Sequence, residues 1–409
     1  MCFSSAMRLS ALAACAVLIV TVLEVPTAEA VDGPTRVLLT PTADPSTSQF
    51  VSWSRSRATK GQEVVAIGSD GSVHRATARR KLGTTKRTAG STQFRYVATL
   101  EGLQPDAKYR YRVAHHRSVT GWRSFRTAPE PGGAFTFLQF GDTQVDNAGV
   151  PQRIVDTAAR RHRGAGLLLH AGDVVNHPWE GGEWRALHEA LSPSGQSKNW
   201  LAAIGNHEQC RLLSPCRSGG GRGFRSYFHG ASNGEPGQRH TWFHVDHGAA
   251  RFIVLDSFGE DLARQRNFLR KALRTNTRRW SIVLMHSGPF ASRGDRTNTT
   301  MRSAFLPTLE KYGADLVLSG HDHSYARGTK AGITYVTSVS GTKYYPSSAA
   351  DWKRGGAVRT AAASRTATYQ VVRVTPDRIS VRAVVGHRGR GSSGEVPVGR
   401  VLDSFVLTD

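Results

Sequence analysis

Cysteine is scarce in this chain: four among 409 residues, of which Cys2 and Cys15 fall in the first thirty. That excludes a disulfide-stapled miniature fold, and two remaining sulfurs make a poor structural zinc site. Acidic residues are also few, 31 Asp and Glu against 54 Lys and Arg, which leaves a formal charge of +23. An excess of that sign favours anionic partners: phosphorylated compounds, nucleic acid or an acidic envelope. The basic residues are spread thinly, however, without an aromatic-interleaved stripe. There is no specific nucleic-acid motif, and the pattern reads as a generally basic solvated surface. Long apolar runs are missing after Leu23, so no stable membrane span is expected in the body of the chain. No internal repeat is visible. With 39% hydrophobic and 21% charged residues the composition is that of a globular protein, and the length suits two or three domains.

The first thirty residues stand apart. Arg8 precedes an apolar run from Leu9 to Leu23, about fifteen residues, shorter than the ~20 a spanning helix needs. Ala28-Glu29-Ala30 puts small residues on either side of a cut before Val31. This is the layout of a secretory signal peptide over residues 1–30, with Met7 as good a start as Met1. A lipoprotein reading at Cys15 fits less well, because that cysteine lies inside the apolar run. The expected location is secreted, or associated with the cell envelope. In an oxidising compartment Cys210 and Cys216 are expected to form one small-loop disulfide, with two free thiols as the alternative.

Two bodies follow. Residues 31–128 read as an all-β sandwich. Arg36–Leu39, Phe50–Trp53, Glu63–Ile67 and Arg95–Ala98 are short β-rich runs separated by turn signals at Ser69-Asp70-Gly71 and Ala89-Gly90. Leu103-Gln104-Pro105, then Tyr109 and Tyr111, has the pattern of a tyrosine corner in a fibronectin type III-like module. Residues 129–133, Pro-Glu-Pro-Gly-Gly, make a linker. From 134 to 409 short apolar runs alternate with helical stretches (Val150–His162, Glu183–Leu191, Leu262–Leu273, Met301–Tyr312), as in an α/β body of two packed mixed sheets. Residues 346–364, rich in Ser, Ala and Gly, read as flexible.

Five of the apolar runs end in residues able to bind metal. Phe135–Phe140 leads into Gly141-Asp142-Thr143-Gln144, and Leu167–Ala171 into Gly172-Asp173. Trp200–Ile204 leads into Gly205-Asn206-His207-Glu208, Ile282–Met285 into His286, and Leu316–Ser319 into Gly320-His321-Asp322-His323. In α/β sheets, sites form where the carboxyl ends of strands converge. Hydrolysis of a phosphate ester needs its phosphoryl charge neutralised and a hydroxide at neutral pH. Two cations about 3.5–4 Å apart supply both. A carboxylate such as Asp173 suits a bridging position between them, and neutral imidazoles with a carboxamide oxygen complete the set without excess negative charge. Each motif alone is commonly a turn. Together, with Asp142, Asp173, Asn206, His286 and His321 separated by 31, 33, 80 and 35 residues, they form one constellation.

The stretch from Gly141 to His323 resembles the calcineurin-like metallophosphoesterase superfamily, and with the N-terminal module it is similar to the purple acid phosphatase branch. The resemblance implies a four-layer αββα domain beside the β-sandwich, and two metal ions: iron, manganese or zinc. It also implies that Asp142 and His323 bind the first ion, that Asn206, His286 and His321 bind the second, and that Asp173 bridges them. His207 would face the substrate, as transition-state stabiliser or as proton donor to the leaving oxygen. The chain departs from the family at two positions. Gln144 stands where many members have histidine, and Asn176 where purple acid phosphatases have a ligand tyrosine; either could lend an amide oxygen to the first ion. His177 reads first as a solvated loop histidine, with a substrate contact as the alternative.

The expected activity is hydrolysis of phosphate monoesters of small phosphorylated compounds by attack of a metal-bound hydroxide. A phosphodiesterase or nuclease using the same centre is the alternative, and a binding protein on a dead hydrolase fold is the contrasting class. Loops such as Arg217–Glu235 and Tyr344–Arg359 are expected to set specificity.

Overall fold

A computed structural model describes residues 33–81, 93–115, 118–145, 149–192, 194–210, 221–234, 240–392 and 396–408. The leader, Cys216 and the two ends of the 217–235 stretch lie outside the described residues; the rest of that stretch holds the short helix Arg222–Tyr227.

The N-terminal body is a sandwich of two antiparallel sheets. One runs in the order Thr35–Thr40, Gln49–Arg55, Phe94–Leu100, Arg79–Arg80. The other runs Val73–Thr77, Glu63–Gly68, Lys108–His115, Ser118–Val119, with Arg123–Arg126 also paired to Lys108–His115. Alternate residues turn inward, so Val51, Trp53, Val64, Tyr109, Tyr111, Val113 and Phe125 meet in one apolar layer. The tyrosine corner forms as expected: the Tyr109 hydroxyl accepts the backbone N–H of Gln104 at 2.8 Å.

The second body has two sheets packed face to face. The six-stranded sheet has the order Asn199–Ala202, Leu167–His170, Phe135–Phe140, Thr366–Val374, Ile379–Arg388, Val401–Leu407. The seven-stranded sheet runs Phe243–His247, Ala250–Val254, Trp280–Leu284, Leu316–Ser319, Ile333–Thr337, Tyr325–Lys330, Val358–Ala363. The two-residue period divides the strands between layers. Phe137, Leu167, Leu169 and Leu201 face Phe252, Ile282, Leu284 and Leu318 in the central layer. Leu138, Leu168 and Trp200 point outward onto helices Val150–Arg161 and Gly181–Leu191. Val283, Met285 and Val317 point the other way, onto helices Leu262–Arg274 and Thr299–Tyr312. Covered on both faces, these strands carry almost no polar residues, which is why they read as continuous apolar runs.

Three strands of the first sheet run parallel, as do four of the second. Their carboxyl ends come to a common rim, where the Asp142 N–H donates to the Gly172 carbonyl and the Gly320 N–H to that of His286. The stretch read as flexible is ordered. Helix Ala350–Arg354 buries Trp352 against Phe290, and Val358–Ala363 pairs with Tyr325–Lys330 as the sheet edge. Small residues suit an edge strand lying close to its neighbour as well as they suit a loop.

Candidate metal centre

Sharp turns set up the site. Asp142, Asp173, His321 and His323 all have left-handed backbone conformation, with φ of 48°, 54°, 72° and 50°. Non-glycine residues adopt this region at a cost and cluster at functional sites. It turns each side chain sideways off its strand end into the space between the sheets. Glycine is required beside them. A Cβ on Gly205 would lie 2.1 Å from Asp173 Oδ1, and one on Gly320 2.2 Å from Asp142 Oδ2.

Two groups of donors result, one of Asp173, His286 and His321 and one of Asp142, Asp173 and His323, with ligand atoms within 4.8 Å of one another in each. Asp173 belongs to both. Asp142 is wholly buried; its Oδ2 accepts the His321 N–H at 2.8 Å, while Oδ1 has no hydrogen-bond partner among the described residues. His323 holds its Nδ1 against the Lys343 carbonyl at 2.9 Å and turns Nε2 to Asp142 Oδ1 at 3.4 Å.

On the other side the His286 ring is fixed by the Ala171 carbonyl, 2.6 Å from Nδ1. A carbonyl only accepts, so Nδ1 carries the proton and Nε2 of the neutral ring is a lone pair. That lone pair meets two acceptor oxygens, Asp173 Oδ2 and Asn206 Oδ1, and a third potential donor to metal, His321 Nδ1, each at 3.2 Å. Acceptors converging in this way fit a cation, as does the orphaned Asp142 oxygen. Without a cation, burial opposes charge on His286, but the carboxylates of Asp173 and Asp142 override it and raise the ring to about 10. Burial keeps the His321 and His323 rings neutral, His321 well below the usual range and His323 at about 3. Neutral imidazole is the form that binds metal.

His207 is placed differently. Its Nδ1 donates to the Asn176 carbonyl at 2.7 Å, and its Nε2 stands 3.8 Å from Asp173 Oδ2. The side chain is 16% exposed and lies at the mouth of the centre. Of the two substitute ligands, Gln144 is buried, with an amide nitrogen lacking a partner among the described residues. The Asn176 amide lies against the His177 ring, at 3.0 Å from Nε2. His177 is itself paired with Glu183 at 2.7 Å and half exposed. Cys210 is buried at the end of the short helix Asn206–Gln209; its expected partner, Cys216, lies outside the described residues.

Sequence reasoning assigned no role to Glu208. It is buried, and its carboxylate accepts the N–H groups of Asp173, Gly205 and Val175 at 2.9, 2.9 and 3.0 Å. It thus ties two of the metal-bearing turns together. Arg296 does the same for the His321–His323 turn, donating to the His321 carbonyl at 2.7 Å and to Asp322 at 3.1 Å. Phe258 covers the His286 and His321 rings, and Tyr345 packs edge-on to His323. A Glu three residues after a glycine N-cap is a capping-box signal, and it was the one available pointer to Glu208.

Two mixed sheets with helices outside and an Asp–Asn–His cluster at the strand ends define a metallophosphoesterase. Residues 135–325 match the calcineurin-like phosphoesterase family and residues 34–127 the purple acid phosphatase N-terminal domain. The chain thus resembles the calcineurin-like phosphoesterases, and with both matched regions in this order it is similar to their purple acid phosphatase-like branch. It is 26% identical to an uncharacterized protein of Mycobacterium tuberculosis over 69% of this chain and 60% of that one. It is 25% identical to the purple acid phosphatase of Glycine max over 69% of this chain and 63% of the relative. A probable inactive purple acid phosphatase of Arabidopsis thaliana is 24% identical, over 60% of this chain and 46% of its own. The chain thus spans less than two thirds of the length of these relatives. Among solved structures, the purple acid phosphatase PPD1 from yellow lupin seeds superposes with a TM-score of 0.74. It has 17% identity, covering 92% of this chain and 74% of that one. PhoD superposes at 0.63, with 14% identity, over 92% and 91%. At these identities the likeness is one of fold.

Proposed function

We propose that this protein is an exported phosphatase that hydrolyses phosphate monoesters of small molecules at a two-metal centre. The observation that carries this reading is the sharing of Asp173 by two donor groups. One carboxylate placed between two sets of neutral donors suits a bridge between two cations. In this reading Asp142 and His323 hold the first ion, Asn206, His286 and His321 the second, and Gln144, Asn176 or water completes the first ion's set. When bound, such a pair supplies charge neutralisation for the phosphoryl group and acidifies water. Iron, manganese and zinc all suit oxygen and imidazole donors.

His207 contributes at Nε2. The Asn176 carbonyl secures the Nδ1 proton and so aims the other nitrogen into the mouth of the centre. With one proton already on Nδ1, Nε2 can donate only from the imidazolium form; in that form its proton can pass to the leaving oxygen, which leaves the neutral ring, or its N–H can stabilise charge on the phosphoryl group. The basic surface favours arrival of anionic substrates. Export rests on the leader, residues 1–30, and the Cys210–Cys216 disulfide goes with it. The domains are taken as 31–128 and 134–409, joined by 129–133.

Some relatives are named as inactive, yet this chain keeps Asp142, Asp173, Asn206, His207, His286, His321 and His323 together, which a binding protein on a dead site has no reason to do. A substrate panel after metal reconstitution tests the proposal. Aryl and alkyl monoesters should turn over faster than diesters, nucleotides or DNA, and Asp173→Asn should remove turnover and cut bound metal to one ion or none. Faster cleavage of diesters would assign the phosphodiesterase activity instead. An Asp173→Asn variant that stays active with two ions bound would rule out the bridge.

A further inference from the structure

The N-terminal sandwich supplies none of the candidate metal donors, yet it grips one segment of the second body with four basic side chains. That segment is helix Arg222–Tyr227 with the residues after it. Arg95 is fully buried; its Nε donates to the Ser226 carbonyl at 3.0 Å, and its guanidinium lies 4.2 Å above the Tyr227 ring. Arg36 donates to the Tyr227 hydroxyl at 3.0 Å. Lys81 donates to the Arg225 and Ser226 carbonyls, and Arg79 contacts His229 at 3.1 Å. A buried arginine held by one carbonyl, the Ser54 hydroxyl and a ring is a costly way to hold two bodies together when apolar packing would serve. Burial lowers Arg95 only to about 10, so it stays a cation at neutral pH.

From Tyr227 a chain of contacts runs to the candidate centre. The Tyr227 ring stacks on Trp184, with centroids 4.3 Å apart and planes 10° from parallel. The Trp184 indole N–H donates to the Pro178 carbonyl at 2.9 Å. One residue earlier on that helix, Glu183 accepts the N–H groups of Asn176 and His177 at 2.8 and 2.7 Å. The 176–178 turn is thus held from one helix, and the carbonyl of Asn176 is what orients His207.

We propose that the sandwich positions His207: Arg95, assisted by Arg36, locks Tyr227 against Trp184 and so fixes the 176–178 turn whose carbonyl aims the imidazole. This rests on the reading of His207 as the group that acts on substrate. Arg95 is a positioning residue, acting through four intervening contacts. Chains of packed side chains and hydrogen bonds carry coupling of this kind.

The test is a double-mutant cycle on the metal-loaded protein with an alkyl phosphate as substrate, read together with the imidazole proton NMR spectrum of the metal-free protein. Arg95→Leu should lower kcat ~10-fold with metal content and KM near wild type, and it should add nothing in a His207→Ala background. The Nδ1 proton resonance assigned to His207, by its loss in His207→Ala, should broaden or shift in Arg95→Leu. Losses that multiply in the double variant, or a His207 resonance unmoved by Arg95→Leu, overturn the inference. A His207→Ala variant as active as wild type would instead remove the reading beneath it. Should Arg95→Leu fail to fold, Trp184→Phe keeps the ring on Tyr227 but removes the bond to Pro178. It should cost ~3-fold in kcat, again only when His207 is present, and no loss would overturn the inference.

Discussion

His286 has one ring nitrogen committed to a carbonyl and the other facing three potential metal donors, so its neighbours decide its chemistry more than its own titration does. His207 shares the carbonyl at Nδ1 and differs at Nε2, which stands 3.8 Å from Asp173 Oδ2 instead of among three donors. A backbone carbonyl at Nδ1 leaves its Nε2 at the mouth, out of the donor groups. His207→Ala is therefore expected to lower kcat ~10²–10³-fold while bound metal stays at the wild-type level. Steady-state kinetics beside metal analysis checks this, and loss of an ion in the variant would make His207 a ligand. The first ion's missing phenolate leads to a second expectation. Asn176 stands at the tyrosine position with its amide against His177, and Tyr325 is buried with its hydroxyl on Asp403 at 2.7 Å. The iron-loaded protein should show no strong visible charge-transfer band. A band that disappears in Tyr345→Phe would instead make that residue, packed on His323, a ligand.

At the scale of elements, the strand-end turns carry the site, and their glycines are as necessary as the ligands. A Cβ at Gly320 would meet Asp142 Oδ2 at 2.2 Å, and the carboxylate has no room to retreat because it is fully buried. Gly320→Ala should displace Asp142, reducing first-ion occupancy and kcat together by at least ~10-fold, while circular dichroism keeps the wild-type shape. Wild-type metal affinity in that variant would show the turn to be slack. The buried strands and their polar ends were legible in the sequence, because a strand covered on both faces has an unmistakable apolar signature. The edge strands Val358–Ala363 and Val401–Leu407, and Tyr325–Lys330 beside the first of them, were not. They are half exposed, mix small and charged residues, and form only because a neighbour offers its hydrogen bonds.

At the scale of the whole molecule, the sandwich and the second body share buried histidines that have consequences for pH. Burial lowers His229 to about 2 and His247 to about 3. Both rings stay neutral in the folded protein, whereas the unfolded chain binds protons below about 6.5. Their contribution to stability is complete above that pH and is lost as pH falls toward the folded values. The slope is about 1.4 kcal/mol per pH unit for each ring. Urea unfolding of the metal-loaded protein should thus give a lower midpoint at pH 5.5 than at pH 7.5. An unchanged midpoint would mean that these rings take up protons without unfolding.

The sequence by itself determined the αββα body, the β-sandwich before it and the order of the metal-binding turns. Those properties are written in local periodicity and in polar residues that close apolar strands. Only the tertiary structure decided that Asp173 is shared between two donor groups, that Glu208 ties the turns, and that the Asn176 carbonyl rather than its amide faces His207. Those roles belong to backbone N–H and C=O groups and to distances between segments up to 179 residues apart, as between Asp142 and His321. Every residue type carries the same backbone groups, so no pattern of side chains announces which of them a fold will bring together.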